Sequence, residues 1–137
     1  MKKSLRIGNR HLLMDLIMNN TFKINRGEIW LTDLDPTIGH EQAKIRPCLI
    51  ISDNTFNNGP MELIVILPIT PIPRTFIWFV PICLEKNPES GLLKNSYVMC
   101  NQIRTISKKR IKGKCLGIIQ PELLNEIEYR IKILLSL

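Results

Sequence analysis

A polar loop that runs directly into an apolar segment carries the residues best suited to chemistry. The loop bears an imidazole, a carboxylate, an amide and a cation, on His40, Glu41, Gln42 and Lys44. The next segment, from Arg46 to Ser52, is predicted to be a buried strand that opens on a permanently charged guanidinium. Side chains at the end of a rigid element are held in place while remaining open to a ligand. We therefore expect the functional site at this junction.

The hydroxyl of Thr70 is predicted to lie beside Arg46. Turn-forming residues around Asn58-Gly59 separate the first strand from a second apolar strand, Leu63 to Thr70. In an antiparallel hairpin centred on that turn, facing residues have numbers that sum to about 116, and 46 and 70 meet this condition. The Cα atoms of the two residues would then be about 5 Å apart. The alternative is a surface arginine and a threonine chosen for its β propensity.

A guanidinium next to a hydroxyl is suited to stabilising attack on a phosphodiester. The guanidinium fits phosphate oxygens and keeps its charge, and the hydroxyl adds one oriented hydrogen bond. RNA brings its own nucleophile, the 2′-OH, so its cleavage requires a proton acceptor, a proton donor and charge stabilisation, without a metal or other cofactor. Glu41 and His40 are candidates for proton transfer. The alternatives are that Glu41 pairs with Lys44 or Arg46, and that His40 caps a turn.

The charge of the chain favours a polyanionic partner. The formal net charge is +7 and the pI is about 9.5, and nucleic acid is a commoner partner of such a domain than an anionic membrane. No acidic residue occurs between Gly91 and Pro121. The cations of this basic run are Lys94, Arg104, Lys108, Lys109, Arg110, Lys112 and Lys114. We predict that the run faces phosphates, the alternative being a solvated face.

The elements that must position these groups fit in one domain of the 137 residues. Residues 1–25 show no clean period, and we interpret them as an extension with a short helix near 10–18, so that the domain spans 26–137. Further strands are predicted at 28–34, 78–84, 96–102 and 116–119. Pro121 opens a final helix with one apolar stripe, formed by Leu124, Ile127, Ile131 and Leu134. The predicted class is mainly β with helices, a small, strongly bent antiparallel barrel with the helix packed on it.

The remaining signals exclude other classes of site and compartment. The cysteines Cys48, Cys83, Cys100 and Cys115 are widely spaced without a CxxC pair, which argues against zinc and favours reduced thiols in a cytoplasmic protein. Asp33 and Asp35 have no third partner in view, so a solvated turn is favoured over a metal site. We expect neither a targeting segment nor a membrane span.

Several blocks of the sequence together resemble the MazF/PemK toxin endoribonucleases of type II toxin–antitoxin systems. The blocks lie in the family's order at 26–30 (RGEIW), 35–37 (DPT), 39–42 (GHEQ) followed by 46–47 (RP), 68–70 (PIT) and 102–106 (QIRTI). The resemblance implies an SH3-like barrel, a homodimer and a cognate antitoxin that covers the site. It also implies metal-independent cleavage of single-stranded RNA, mRNA, at short sequences, leaving a 2′,3′-cyclic phosphate and a 5′-OH.

The resemblance places the family's catalytic arginine and Thr/Ser on Arg46 and Thr70, and its loop carboxylate and amide on Glu41 and Gln42. We therefore predict Arg46, Thr70 and Glu41 as catalytic residues. The predicted RNA-binding residues are His40, Gln42, Lys44, Gln102, Arg104, Lys108, Lys109 and Arg110.

This chain also departs from the family's pattern. Pro71 follows Thr70 where many members carry a second hydroxyl, and the loop glycine common near Lys44 is absent. Two other readings of the fold stay open: a non-catalytic inhibitor like the CcdB gyrase poisons, and a plain RNA-binding barrel.

Overall fold

Antiparallel strands followed by a C-terminal helix form the part of the chain that the computed structural model describes, residues 23–41, 44–73, 75–82 and 95–137. The elements are β1 (Glu28–Asp33), β2 (Ile45–Ile50), α1 (Asn54–Asn57), β3 (Leu63–Thr70), β4 (Phe79–Ile82), β5 (Ser96–Met99), β6 (Arg104–Ser107), β7 (Ile111–Ile118) and α2 (Pro121–Leu135). One turn of 3-10 helix, Lys108–Arg110, joins β6 to β7. None of the helices in these ranges is long and apolar enough to span a membrane.

The strands pair in the order β4-β5-β3-β2-β1-β7, and β6 also pairs with β3. β3 is the shared strand, because its first half pairs with β6 and its last two residues pair with β5. The predicted α+β class, with a bent antiparallel sheet and a terminal helix, is confirmed. The barrel is incomplete within the described residues, since the pairings leave β4 and β7 as edges and do not close the sheet.

The sheet buries both of its faces, and alternate residues of each strand serve different cores. The inner core lies on the face away from α2, and its members are Ile24, Trp30, Leu34, Cys48, Ile50, Ile64, Ile66, Ile106 and Ile111. The outer core includes Leu49, Leu67 and Ile69 and is completed by Ile127 of α2. Of the predicted helical stripe, Ile127 is fully buried, Leu124 and Ile131 pack against this core, and Leu134 is half-buried. Because both faces of the sheet are buried, the sequences of the strands are continuous apolar runs.

Three strands differ from the prediction, and the first is β5, which ends at Met99 where a strand at 96–102 was predicted. β6 lies inside the basic run and was not expected, and β7 is eight residues long where a short strand at 116–119 was predicted. β7 is an edge strand whose exposed positions carry Lys112 and Lys114, which obscured its apolar pattern. Its register against β1 shifts around Gly113, which has φ of 69°, a left-handed conformation that glycine adopts without steric cost.

The N-terminal boundary lies earlier than the sequence indicated. Ile24, assigned to the extension, is fully buried in the inner core. Its N–H donates to the Asn58 Oδ1 at 3.0 Å, and the Asn58 amide donates back to the Ile24 carbonyl at 3.0 Å. The packed domain therefore includes residue 24, while residues 1–22 lie outside the described residues.

Candidate active site

The register between β2 and β3, extended beyond the paired residues, relates Arg46 to Thr70. The structure pairs Cys48 with Pro68, Leu49 with Leu67 and Ile50 with Ile66, and the numbers of each pair sum to 116, as predicted. The connection contains helix α1 instead of a tight turn at Asn58-Gly59, yet the register is the same. The pairing of the two strands ends at Cys48 and Pro68, and extending the same register by two residues brings Arg46 opposite Thr70.

Arg46 and Thr70 belong to one row of neighbours that crosses the sheet. Arg46 pairs with Thr32 of β1 on one side, and Thr70 pairs with Tyr97 of β5 on the other. Directly paired residues project to the same face, and by alternation this is the inner-core face. The row therefore forms the rim of the inner core, at the end where β2 begins and β3 ends.

Thr70 is 4% exposed, and its hydroxyl is oriented by the turn that follows β3. The Thr70 Oγ1 accepts a hydrogen bond from the Ile72 N–H at 3.2 Å. Pro71 has no N–H to offer, so the first backbone donor after Thr70 is that of Ile72. This bond occupies a lone pair of the hydroxyl oxygen and does not use its proton, which can be donated to a phosphate oxygen.

The charges of two arginines lower the pKa of one buried thiol, that of Cys48. Burial raises the pKa of Cys48 to about 12, against the opposing effects of a hydrogen bond with Thr32 and of the charges on Arg46 and Arg104. Both guanidiniums are therefore within electrostatic reach of one buried sulfur. Burial also raises the pKa of Cys100, to about 11, so both thiols remain protonated at neutral pH. Cys83 lies outside the described residues.

A small cleft of about 50 Å³ opens beside the row and gathers three of the predicted residues. Its lining residues are Leu34, Glu41, Pro68, Gln102, Ile103 and Arg104. Pro68 belongs to β3 and Arg104 begins β6, which pairs with β3, whereas Glu41 comes from the β1–β2 loop. The cleft thus joins a carboxylate, an amide and a guanidinium over an apolar floor, next to the row that holds Arg46 and Thr70.

The loop that carries Glu41 is held in a defined conformation. The Glu41 Oε1 accepts a hydrogen bond from the Ile38 N–H at 2.7 Å, and the Glu41 N–H donates to the Ile38 carbonyl at 3.3 Å. At the end of the loop, the Lys44 N–H donates to the Asp35 Oδ1 at 3.0 Å. His40 is exposed at the tip, and Gln42 lies outside the described residues.

Lys44 has φ of 68°, in the left-handed region that favours glycine. Glycine adopts this conformation without the steric cost that a lysine side chain incurs there. The Lys44 side chain is exposed at the entrance to β2, two residues from Arg46.

Arg104 and Arg110 hold the start of the same loop by its backbone. The Arg104 Nη1 donates to the Leu34 carbonyl at 2.7 Å, and its Nη2 approaches the Pro36 carbonyl at 3.5 Å. The Arg110 Nη1 donates to the carbonyls of Asp33, at 3.1 Å, and Asp35. Along residues 33–36, the carbonyls of the odd-numbered residues accept from Arg110 and those of the even-numbered residues from Arg104. We call this arrangement the arginine clamp.

Of the other cations of the basic run, Lys94 lies outside the described residues, and the rest separate into two environments. Lys108 is 4% exposed, and burial lowers its pKa against the opposing effect of the Glu62 carboxylate. Its position in the interior does not suit the predicted contact with RNA. Three residues, the exposed lysines, do face solvent: Lys109, Lys112 and Lys114.

Sequence reasoning missed the clamp and the neighbour of Thr70. Arg104 and Arg110 were expected to bind RNA, and no sequence signal linked them to a loop some 70 residues earlier. Tyr97 was not singled out, because the long connection between β3 and β5 conceals their register. In the described ranges, no three His, Cys, Asp or Glu side chains come together as a metal site would require. The predicted absence of a metal stays a prediction.

Comparison with known proteins agrees with this architecture. Residues 25–135 match the family model of the PemK-like, MazF-like toxins of type II toxin–antitoxin systems. The endoribonuclease PemK of Escherichia coli is 36% identical over 116 residues, which cover 82% of this chain and 83% of that protein.

Solved structures share the fold. MazF from Deinococcus radiodurans superimposes with a TM-score of 0.74 at 19% identity, covering 85% of this chain and all (100%) of that chain. A mycobacterial endoribonuclease in complex with its cognate antitoxin gives a TM-score of 0.66 at 26% identity, with 83% and 96% covered. With a family model that matches most of its length, this chain belongs to the PemK-like, MazF-like toxins of type II toxin–antitoxin systems.

Proposed function

We propose that this chain is an endoribonuclease that cleaves single-stranded RNA, mRNA, at short sequences. The observation that carries the proposal is the β2–β3 register, which, extended two residues beyond Cys48 and Pro68, brings Arg46 opposite Thr70 beside the cleft that Glu41 lines. Membership of the family and the identity to the E. coli endoribonuclease PemK support it. The excess of cations, +7 in all, suits a polyanionic substrate.

In the proposed reaction the 2′-oxygen of RNA attacks the adjacent phosphorus, and the bond from phosphorus to the 5′-oxygen breaks. The 2′-OH gives up its proton to an acceptor, and the leaving 5′-oxygen takes one up, so the products are a 2′,3′-cyclic phosphate and a 5′-OH. Arg46 binds two phosphate oxygens through its planar fork as negative charge accumulates on them. The Thr70 hydroxyl donates a further hydrogen bond to the same group.

Proton transfer is assigned to the β1–β2 loop. Glu41 supplies a carboxylate at the cleft, where its Oε1 is held by the Ile38 N–H and its Oε2 can accept a proton. His40 is the neighbouring group, exposed at the tip of the same loop. Gln42, Lys44 and Gln102 are proposed to contact the RNA around these residues. Because the nucleophile belongs to the substrate, the reaction as proposed needs no metal.

A cognate antitoxin is the partner that we infer from the family. The mycobacterial relative was solved with its cognate antitoxin, and here such a protein would neutralise the enzyme by covering the Arg46–Thr70 row. A homodimer and action in the cytoplasm, where mRNA is found, are inferred on the same basis.

Mapping the ends of RNA fragments tests the proposed function. Purified protein is incubated briefly with a transcript, and the new 5′ ends are sequenced with and without prior phosphorylation. We expect ends at a recurring short sequence, each captured only after phosphorylation because it carries a 5′-OH. EDTA should leave the rate unchanged, and Arg46→Ala should reduce the yield of ends about a hundredfold or more. Intact RNA would overturn the proposal and favour a binding module, whereas 5′-phosphate ends or a magnesium requirement would overturn the chemistry.

A further inference from the structure

A line of aromatic side chains leads away from Thr70 toward the β4 edge. Tyr97 is paired with Thr70, so it projects from the same face on the neighbouring strand, about 4.8 Å away. On β4, Pro81 is paired with Tyr97, and Phe79 lies two residues from Pro81, on the same face and diagonal to Tyr97. Two aromatic residues therefore continue the row of Arg46 and Thr70.

Phe76 extends this line beyond the end of β4. Its ring centroid is 5.9 Å from that of Phe79, with the planes inclined at 69°, an edge-to-face arrangement. The turn between them is closed by a hydrogen bond of 3.0 Å from the Phe79 N–H to the Phe76 carbonyl. We call Tyr97, Phe79 and Phe76 the aromatic track.

The rings of the track are available to a ligand. Phe76 is 60% exposed, and Phe79 and Tyr97 are half-buried, in contrast to the fully buried residues of the two cores. An isolated exposed aromatic residue needs no explanation, but three in line with a proposed phosphate site do. Aromatic faces stack on bases of any sequence, and single-stranded nucleic acid is commonly bound this way.

We propose that the aromatic track stacks the bases on one side of the scissile phosphate. The inference rests on the proposed function, because Arg46 and Thr70 fix where the phosphate lies. The continuity of the aromatic track with the row of Arg46 and Thr70 favours single-stranded nucleic acid as its ligand over an apolar peptide or a second copy of this chain. Stacking on the track holds the strand in place, and sequence preference then depends on the cleft around Glu41 and Gln102.

Binding of short DNA tests the track apart from cleavage. Oligothymidylate of about eight nucleotides lacks the 2′-OH, so the proposed reaction cannot consume it, and an abasic strand of equal length has the same phosphates without bases. Phe76→Ala and Tyr97→Leu should each weaken binding of oligothymidylate about tenfold, in the range found for loss of one stacked base. Binding of the abasic strand should not change, and Tyr97→Phe should retain the affinity. The matched control is Tyr129→Leu, because Tyr129 is an aromatic residue of α2, outside the track, and is 63% exposed. This variant should bind oligothymidylate as the unaltered protein does.

The result that would overturn the proposal is equal binding of oligothymidylate by Phe76→Ala, Tyr129→Leu and the unaltered protein. A shift of Phe76→Ala to a smaller species in sedimentation would also overturn it, because the track would then be a contact between two copies. Should Tyr97→Leu fail to fold, Phe76→Ala still decides, since its ring is mostly exposed. If the track variants weaken oligothymidylate binding but the protein cleaves no RNA, the proposed function is wrong and the proposal for the aromatic track is kept.

Discussion

Removing Arg110 should destabilise the protein by loosening the β1–β2 loop. Its guanidinium donates to the carbonyls of Asp33 and Asp35, and Arg110→Met keeps the aliphatic part while deleting both bonds. A hydrogen bond from a charged donor is worth about 1.5–3 kcal/mol when buried, but here Asp35 is exposed and its carbonyl can turn to water. We therefore expect a loss of about 1–2 kcal/mol in the free energy of unfolding. The melting temperature should fall by about 4–10 °C.

Urea titration with a matched control measures this effect. Lys112→Met removes the same charge from an exposed position nearby, and it should leave stability within about 0.5 kcal/mol. Hydrogen exchange reports on the loop directly. The Leu34 N–H donates to the Lys44 carbonyl and the Lys44 N–H donates to the Asp35 Oδ1, and both hydrogen bonds depend on the conformation of the loop. Protection should fall in Arg110→Met alone. Equal stability of the two variants would refute the clamp and return Arg110 to the RNA-binding set.

Three further results are expected. Changing the three exposed lysines to Gln should reduce the slope of log affinity against log salt by about 2 for single-stranded RNA, and an unchanged slope would assign them to a solvated face. A chain starting at Lys23 should keep its melting temperature. A chain starting at Arg26 loses the buried Ile24 and should have a free energy of unfolding lower by about 2–5 kcal/mol. Equal stability of the two chains would show that Ile24 contributes little. Lys44→Gly should be neutral or stabilising by up to about 1 kcal/mol in thermal unfolding, and Lys44→Val should cost about 1–2 kcal/mol; the opposite order would contradict the left-handed φ.

The sequence predicted the parts of the fold that depend on local pattern. β3 was predicted with the observed bounds, because Leu63–Thr70 is an unbroken apolar run with turn formers on both sides. The register of β2 against β3 followed from the midpoint between the strands, although the connection contains helix α1. Extended two residues beyond Cys48 and Pro68, this register brings Arg46 opposite Thr70, and their joint role stays a prediction.

The rest depended on contacts between distant segments. The arginine clamp joins residues 33–36 to β6 and the 3-10 turn, and a cation that binds a backbone carbonyl leaves no mark in the sequence. Lys108 was assigned to a phosphate-facing run because charge predicts exposure, yet it is packed inside. The Thr70–Tyr97 pair crosses a long connection, so its register could not be obtained from a midpoint.

The central claim is that Arg46 and Thr70 act as one unit on the same phosphate. Single-turnover cleavage of an RNA that contains the mapped sequence should slow about a hundredfold or more in Arg46→Ala, the scale found when one charge-stabilising donor is removed. Arg46→Lys should recover little, because an ammonium lacks the planar fork, and Thr70→Val should slow cleavage while RNA binding stays nearly intact. The double variant should be less impaired than the product of the two single effects. Full additivity would place the residues in separate sites, and unaltered cleavage by Arg46→Ala would contradict the account.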